Sequence, residues 1–220
     1  CALPISEDVQ NWILQKSGTF DNQAAQDAAS TLQDWNNKGY MPEGVNAVDA
    51  STALSRFCNG EGLFFPSGNW NLDTVAKALG DDVQFFAFPG ATSEDEPNVA
   101  ANAGAFYGIP VNAKNRDAAA AFLDYTQSAE AQQIIVDNSG YLPKSSTSDL
   151  KANSALQQSM FDAYADVLMS GHTSDFINNA TAGMQSSGLI PNFQLLLDNS
   201  ITPQEFTKNV QAQYDKEAKQ

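Results

Sequence analysis

The chain has 220 residues, 42% of them hydrophobic, with 26 acidic against 11 basic side chains and a net charge of −15. That length can bury a proper core, as one large domain or two small lobes, and no run of about 18 apolar residues is present to span a bilayer. Such acidity repels phosphate backbones and anionic membrane surfaces, so nucleic acid is excluded as an expected partner.

Residues 21–38 read as a helix capped by Asp21 and ended by Gly39, with Ala25, Ala28, Ala29, Leu32 and Trp35 on one apolar stripe. Trp35 therefore reads as core, as does Trp12 in the apolar run Val9 to Leu14. A short helix over 49–58 carries Ala50, Ala53, Leu54 and Phe57, and Cys58 reads as a small buried hydrophobe at its end. Leu63 to Phe65 then reads as a short strand broken by Pro66. The small-residue loop Ser67-Gly68-Asn69 follows and presents Trp70. An indole face can stack on the apolar side of a pyranose ring, and the Asn69 amide and Ser67 hydroxyl can bond its polar edge. The alternative is a core tryptophan beyond a strand–loop–helix turn, and the local residues leave the two readings open.

Leu72 to Leu79 reads as one or two helical turns closed by Gly80, and Val83 to Pro89 as a strand. Residues 90–102 read as a loop, and its cluster Glu94-Asp95-Glu96 as a solvated stretch rather than a Ca²⁺ site. Gly104 to Val111 reads as a second glycine-interrupted strand. Helices dominate thereafter. Asn115 caps one with Ala118, Ala119, Phe122, Leu123 and Tyr125 or Thr126 inward, and Ser128 opens another with Ala131, Ile134 and Ile135 inward. A long helix spans 148–170, another much of 174–199, and Thr202-Pro-Gln-Glu205 is a capping box with proline at the first helical position. Strands early and helices late make an α/β pattern with too few strands for a complete doubly wound sheet. Either something is missing or a partner completes the sheet.

Catalytic constellations are scarce. His172 is the only histidine, so no Ser-His-Asp or Cys-His set can be assembled, and no phosphate-cradling glycine loop is present. A glycosidase needs two placed carboxylates, and 26 acids supply pairs anywhere, so their abundance decides nothing. Cys1 and Cys58 lack metal-site spacing but can form one bridge in an oxidising compartment. No metal or cofactor is expected.

Four elements together resemble the C-terminal half of bacterial extracellular solute-binding proteins of ABC transporters, the sugar-binding group. They are Phe57 through Gly60, Gly62 and Gly68 to Trp70; Gly104 to Asn115 with the helix ending Thr126-Gln-Ser-Ala-Glu-Ala-Gln132; Gly140-Tyr-Leu-Pro143; and Leu195 to Phe206 with its final helix. Glu61 and Asn69 are mild departures from the family pattern. The resemblance covers residues 20–216 and implies a periplasmic-binding-protein-like type II α/β fold, incomplete and helix-rich, with ligand held between two lobes. It implies that residues 1–88 and 146–220 belong to the C-terminal lobe and 89–145 to a crossover piece of the N-terminal lobe.

The resemblance also implies a non-catalytic sugar or oligosaccharide carrier for an ABC permease, extracellular or periplasmic. The ligand-binding set it suggests is Ser67, Gly68, Asn69, Trp70, Asn102, Phe106, Tyr107, Asp175 and Phe176. By strand alternation only one of Phe106 and Tyr107 faces ligand. Phe193 and Gln194 are weaker candidates, and Asp175 with Phe176 reads equally well as a helix cap and a core ring. Cys1 reads as either a lipidated cysteine or an internal start, with the missing first lobe favouring the latter. The orphaned piece around Ala118–Leu123 would then expose apolar surface and favour self-association. An acidic-site glycoside hydrolase and a protein-interaction domain using the aromatic loop are the competing readings.

Overall fold

The computed structural model describes residues 7–90, 99–101, 107–139, 151–170 and 173–218. Along the chain these form α1 (Glu7–Ile13), α2 (Gln23–Asn37), α3 (Ala50–Cys58), α4 (Leu72–Leu79), β1 (Val99–Ala100), α5 (Arg116–Tyr125), α6 (Ala129–Ser139), α7 (Ala155–Ser170), β2 (Thr173–Ser174), α8 (Ile190–Leu197) and α9 (Pro203–Glu217). The chain divides into two compact units. The first comprises Cys1–Asp49, Phe88–Asn102 and Ser170–Gln220; the second comprises Ala50–Ala87 and Ala103–Met169.

The first unit is built from the two ends of the chain. Trp12 on α1 is fully buried, as its apolar run predicts, and its ring centroid lies 5.2 Å from Phe20 and 4.6 Å from Tyr214 on α9. Ala25 and Ala29 of α2, Leu196 of α8 and Phe206 and Val210 of α9 complete this core. Polar side chains of α2 finish the end of α8: the Gln33 amide donates to the Leu196 carbonyl at 2.9 Å and the Asn36 amide to the Leu197 carbonyl at 2.8 Å. Those carbonyls belong to a last helical turn, which has no intrahelical donors of its own. β1 and β2 pair in parallel, Val99 against Thr173 and Ala100 against Ser174, and form the one sheet among the described residues. Trp35 is half-buried rather than core, its ring 6.0 Å from that of Phe88.

The cap of α2 is Asn22, not Asp21. Asn22 Oδ1 accepts from the Ala25 N–H at 2.9 Å, while the Asp21 carboxylate accepts from Thr207 Oγ1 at 2.7 Å. Gly39 does end this helix, at φ +74°. The single helix expected over much of 174–199 is instead a 3₁₀ turn at Ile177–Asn179, a π-helical stretch at Met184–Leu189 and then α8. Pro191 has no N–H to continue an α ladder, and the Asn192 side-chain amide donates to the Gly188 carbonyl at 2.7 Å in this stretch.

The final helix matches its signal. Thr202 Oγ1 accepts from the Glu205 N–H at 3.2 Å, and the Glu205 carboxylate accepts from the Thr202 N–H at 2.8 Å. The bond from the Thr202 backbone, with that from its hydroxyl, holds the Glu205 carboxyl below the usual carboxylate range. A carboxyl lowered on folding contributes stability above its unfolded pKa, and this is lost as pH falls through the folded value. Acidification from pH 7 towards pH 3 is therefore expected to lower the urea midpoint less steeply in Glu205→Gln than in the parent. Parallel pH curves for the two proteins would refute this assignment.

The second unit packs α3, α4 and α7 around Leu72, Val75, Leu156 and Met160, with Phe57, Cys58 and Phe85 partly buried against them. Cys58 ends α3 half-buried with an unbridged thiol; Cys1 lies outside the described residues. The helix expected from 148 begins at Ala155, where Ser154 Oγ accepts from the Gln157 N–H at 3.1 Å. On α6 the buried residues are Ala131, Gln132 and Val136, and Ile134 faces outward. On α5 the expected inner face is only partly covered: Ala119, Leu123 and Thr126 are half-buried, while Phe122 is 64% exposed and Ala118 is exposed.

The strands expected at Leu63–Phe65 and Val83–Pro89 join no ladder among the described residues. Val83, Phe85 and Ala87 are half-buried while Gln84, Phe86 and Phe88 are exposed, which is the two-residue period of a strand. The Phe85 N–H donates to Ser159 Oγ on α7 at 2.9 Å, so a side chain takes the place of a strand neighbour there. Of the expected strand Gly104–Val111, residues 104–106 lie outside the described residues, and Tyr107–Pro110 has no regular structure.

Candidate functional site

The loop that presents Trp70 is held at its exit and from within. Behind it, α4 buries Leu72 and Val75 in the core of the second unit, which fixes the loop's exit. Within it, Asn69–Asn71 forms a single 3₁₀ turn, with the Asn71 N–H bonded to the Gly68 carbonyl at 3.2 Å. The Asn71 side-chain amide donates to Ser67 Oγ at 2.8 Å, which orients that hydroxyl. Leu72 takes the inward direction, so Trp70, two residues earlier, does not: it is 54% exposed. The core reading of Trp70 is thereby set aside.

Ser67, Gly68, Asn69 and Trp70 thus share one loop, with Ser67 exposed and Gly68 and Asn69 half-buried. Tyr107 lies in the same unit and is exposed. Asn102 and Phe106 lie outside the described residues, as do His172, Gly140-Tyr-Leu-Pro143 and the Glu94–Glu96 cluster. Asp175 and Phe176 belong to the first unit. There the Asp175 carboxylate is engaged locally: Oδ1 accepts from the Phe176 N–H at 2.7 Å and from the Asn179 amide at 2.8 Å, steadying the 3₁₀ turn. Phe193 packs on Phe206 at 4.7 Å and is part of the first core's surround.

The sequence reading did not single out an aromatic pair in the second unit. Phe64 and Phe86 are 73% and 55% exposed, and their rings meet edge to face with centroids 6.2 Å apart. For Phe86 the signal lies in its run, where it alternates with the half-buried Phe85 and Ala87; around Phe64 no such alternation exists, Leu63 being exposed as well. Among the described residues, no three His, Cys, Asp or Glu side chains are grouped to hold a metal ion. The arrangement can stack, and it can bond hydroxyl-rich ligands through Ser67 and Asn69.

The family model for bacterial extracellular solute-binding proteins matches residues 6–161. Among solved structures, a chitin oligosaccharide binding protein matches with a TM-score of 0.79 at 18% identity, over 99% of this chain. The chain spans 55% of that protein's length. No curated protein matches the sequence significantly.

Proposed function

The chain belongs to the bacterial extracellular solute-binding proteins, and on that premise we propose that it binds a sugar, an oligosaccharide above all, without chemical turnover. Stacking on Trp70, with hydrogen bonds from Ser67 and Asn69, holds the ligand; Gly68 shares their loop, and Tyr107 is a further candidate contact. Asn102, Phe106, Asp175 and Phe176 are the further contacts that the family resemblance suggests. In this reading residues 1–88 and 146–220 belong to one lobe of a two-lobed binder and 89–145 to the other. The whole protein would deliver its ligand to an ABC permease. Where the second lobe is incomplete, the exposed apolar face around Phe122 favours self-association.

One observation carries the proposal: a tryptophan, more than half exposed, stands on a loop in which the Asn71 amide orients the Ser67 hydroxyl. The like-folded chitin oligosaccharide binding protein suggests N-acetylglucosamine oligomers as the first probe. In a titration at up to millimolar oligosaccharide, Trp70→Ala is expected to weaken binding more than tenfold, equivalent to about 1.4 kcal/mol. Unchanged affinity in Trp70→Ala would remove the site from this loop. Turnover on a glycoside panel that vanished with one specific carboxylate would replace binding with catalysis.

A further inference from the structure

Gly68 is a glycine whose backbone does not require one. Its φ of −124° and ψ of 178° are ordinary extended values that any L-residue adopts. What distinguishes the position is its neighbour: a Cβ there would lie 2.3 Å from both Cη2 and Cζ3 of Trp70 and 2.7 Å from its Cε3. The benzenoid half of the indole occupies the space that every other residue type gives to a side chain. Ordinary contact begins near 3.4 Å, so a methyl group at Gly68 would push the ring back by about 1 Å.

We infer that Gly68 is a positioning residue for Trp70. Its missing side chain sets the depth at which the ring lies against the loop, and hence the plane offered to a stacking ligand. The inference deepens the sugar-stacking proposal and rests on it for its functional meaning. Gly68 itself need touch no ligand. A ring in van der Waals contact with a pyranose face is sensitive to a displacement of this size, because dispersion falls steeply with a gap of 0.5–1 Å. The restriction is one-sided. The backbone tolerates alanine, α4 keeps its anchors Leu72 and Val75, and the ring alone must move.

The experiment is ¹⁹F NMR of the chain labelled with 5-fluorotryptophan, whose three tryptophans give three resonances. Trp70→Phe identifies the Trp70 line. Gly68→Ala is expected to shift that line while the Trp12 and Trp35 lines and the urea midpoint stay in place; Asn69→Ala, a neighbouring change without the clash, is expected to shift it far less. In oligosaccharide titrations Gly68→Ala should lose several-fold to tenfold in affinity. It should lose little when made in a Trp70→Phe background, whose smaller ring lacks the clashing atoms.

An unmoved Trp70 line in Gly68→Ala overturns the inference. So does a moved line with parental affinity, provided Trp70→Ala does lose affinity. If Trp70→Ala binds as the parent does, the sugar reading has failed instead, and the ¹⁹F shift alone then decides whether Gly68 sets the ring. Should Gly68→Ala disturb all three lines, Gly68→Ser and the Trp70→Phe background decide: clash relief restores the Trp12 and Trp35 lines, and a failure to restore them overturns the positioning role.

Discussion

Phe206→Ala is expected to destabilise the first unit by about 3–5 kcal/mol, the range for emptying a buried aromatic site. Phe206 is 2% exposed and joins three elements, its ring 4.7 Å from that of Phe193 on α8 and 6.2 Å, edge on, from that of Phe20 before α2. Removing it leaves a void lined by Leu196 and Val210, which are themselves fully buried and held by helices that cannot easily close on it. Domains are stable by only about 5–15 kcal/mol, so the loss is a large share of the total. In urea, with a slope of about 1–3 kcal/mol/M, the midpoint followed by Trp12 emission should fall by roughly 2 M. A fall of less than about 0.3 M would show that the ring is not part of a close-packed interior.

Gln157→Leu is expected to cost the second unit about 2–4 kcal/mol, although leucine nearly matches the side-chain volume. Gln157 is fully buried on the first turn of α7. Its Nε2 donates to the Val136 carbonyl of α6 at 2.8 Å and its Oε1 accepts from the Asn153 N–H at 2.7 Å. Leucine fills the space but leaves the Val136 carbonyl without its partner in a buried position and breaks the part-buried bond from the Asn153 N–H. Gln158→Leu is the control, since Gln158 is exposed and bonded to Asp162 at 2.8 Å, and its effect should stay within about 0.5 kcal/mol. Equal urea midpoints for the two variants would defeat the account, and so would unchanged amide exchange at Asn153.

These two sites also show what is legible in a sequence. The Thr202–Glu205 box could be read because both of its bonds are local, and the observed geometry matches. Ser154-Ala-Leu-Gln157 has the same spacing, and a reading that began the helix at 148 passed over it. Strands are less legible, because a ladder is a relation between distant segments: Val83–Phe88 shows the alternation of a strand without forming one among the described residues. α5 misled in a different way. Its apolar stripe is real, yet a stripe does not say how much of it is covered: Ala119 and Leu123 are half-buried, and Phe122 remains exposed. Of the candidate site, the loop and its tryptophan were legible from composition, whereas the outward direction of Trp70 depended on Leu72 and Val75 taking the core side. For Asp175 the residue types left a ligand contact and a helix cap equally open, and its bonds to Phe176 and Asn179 are those of a local cap.

The first unit's core draws Val9 to Ala29 and Ala180 to Val210 together. For a ribosome this fixes an order of events. The apolar faces of α1 and α2 emerge early, and their partners on α8 and α9 follow only after about 150 further residues have been translated, on the order of 10–30 s at ordinary elongation rates. Throughout that interval α1 and α2 lack these partners. α8 and α9, made well after α1 and α2, therefore complete this core, and the nascent chain relies until then on whatever cellular factor shields exposed apolar segments.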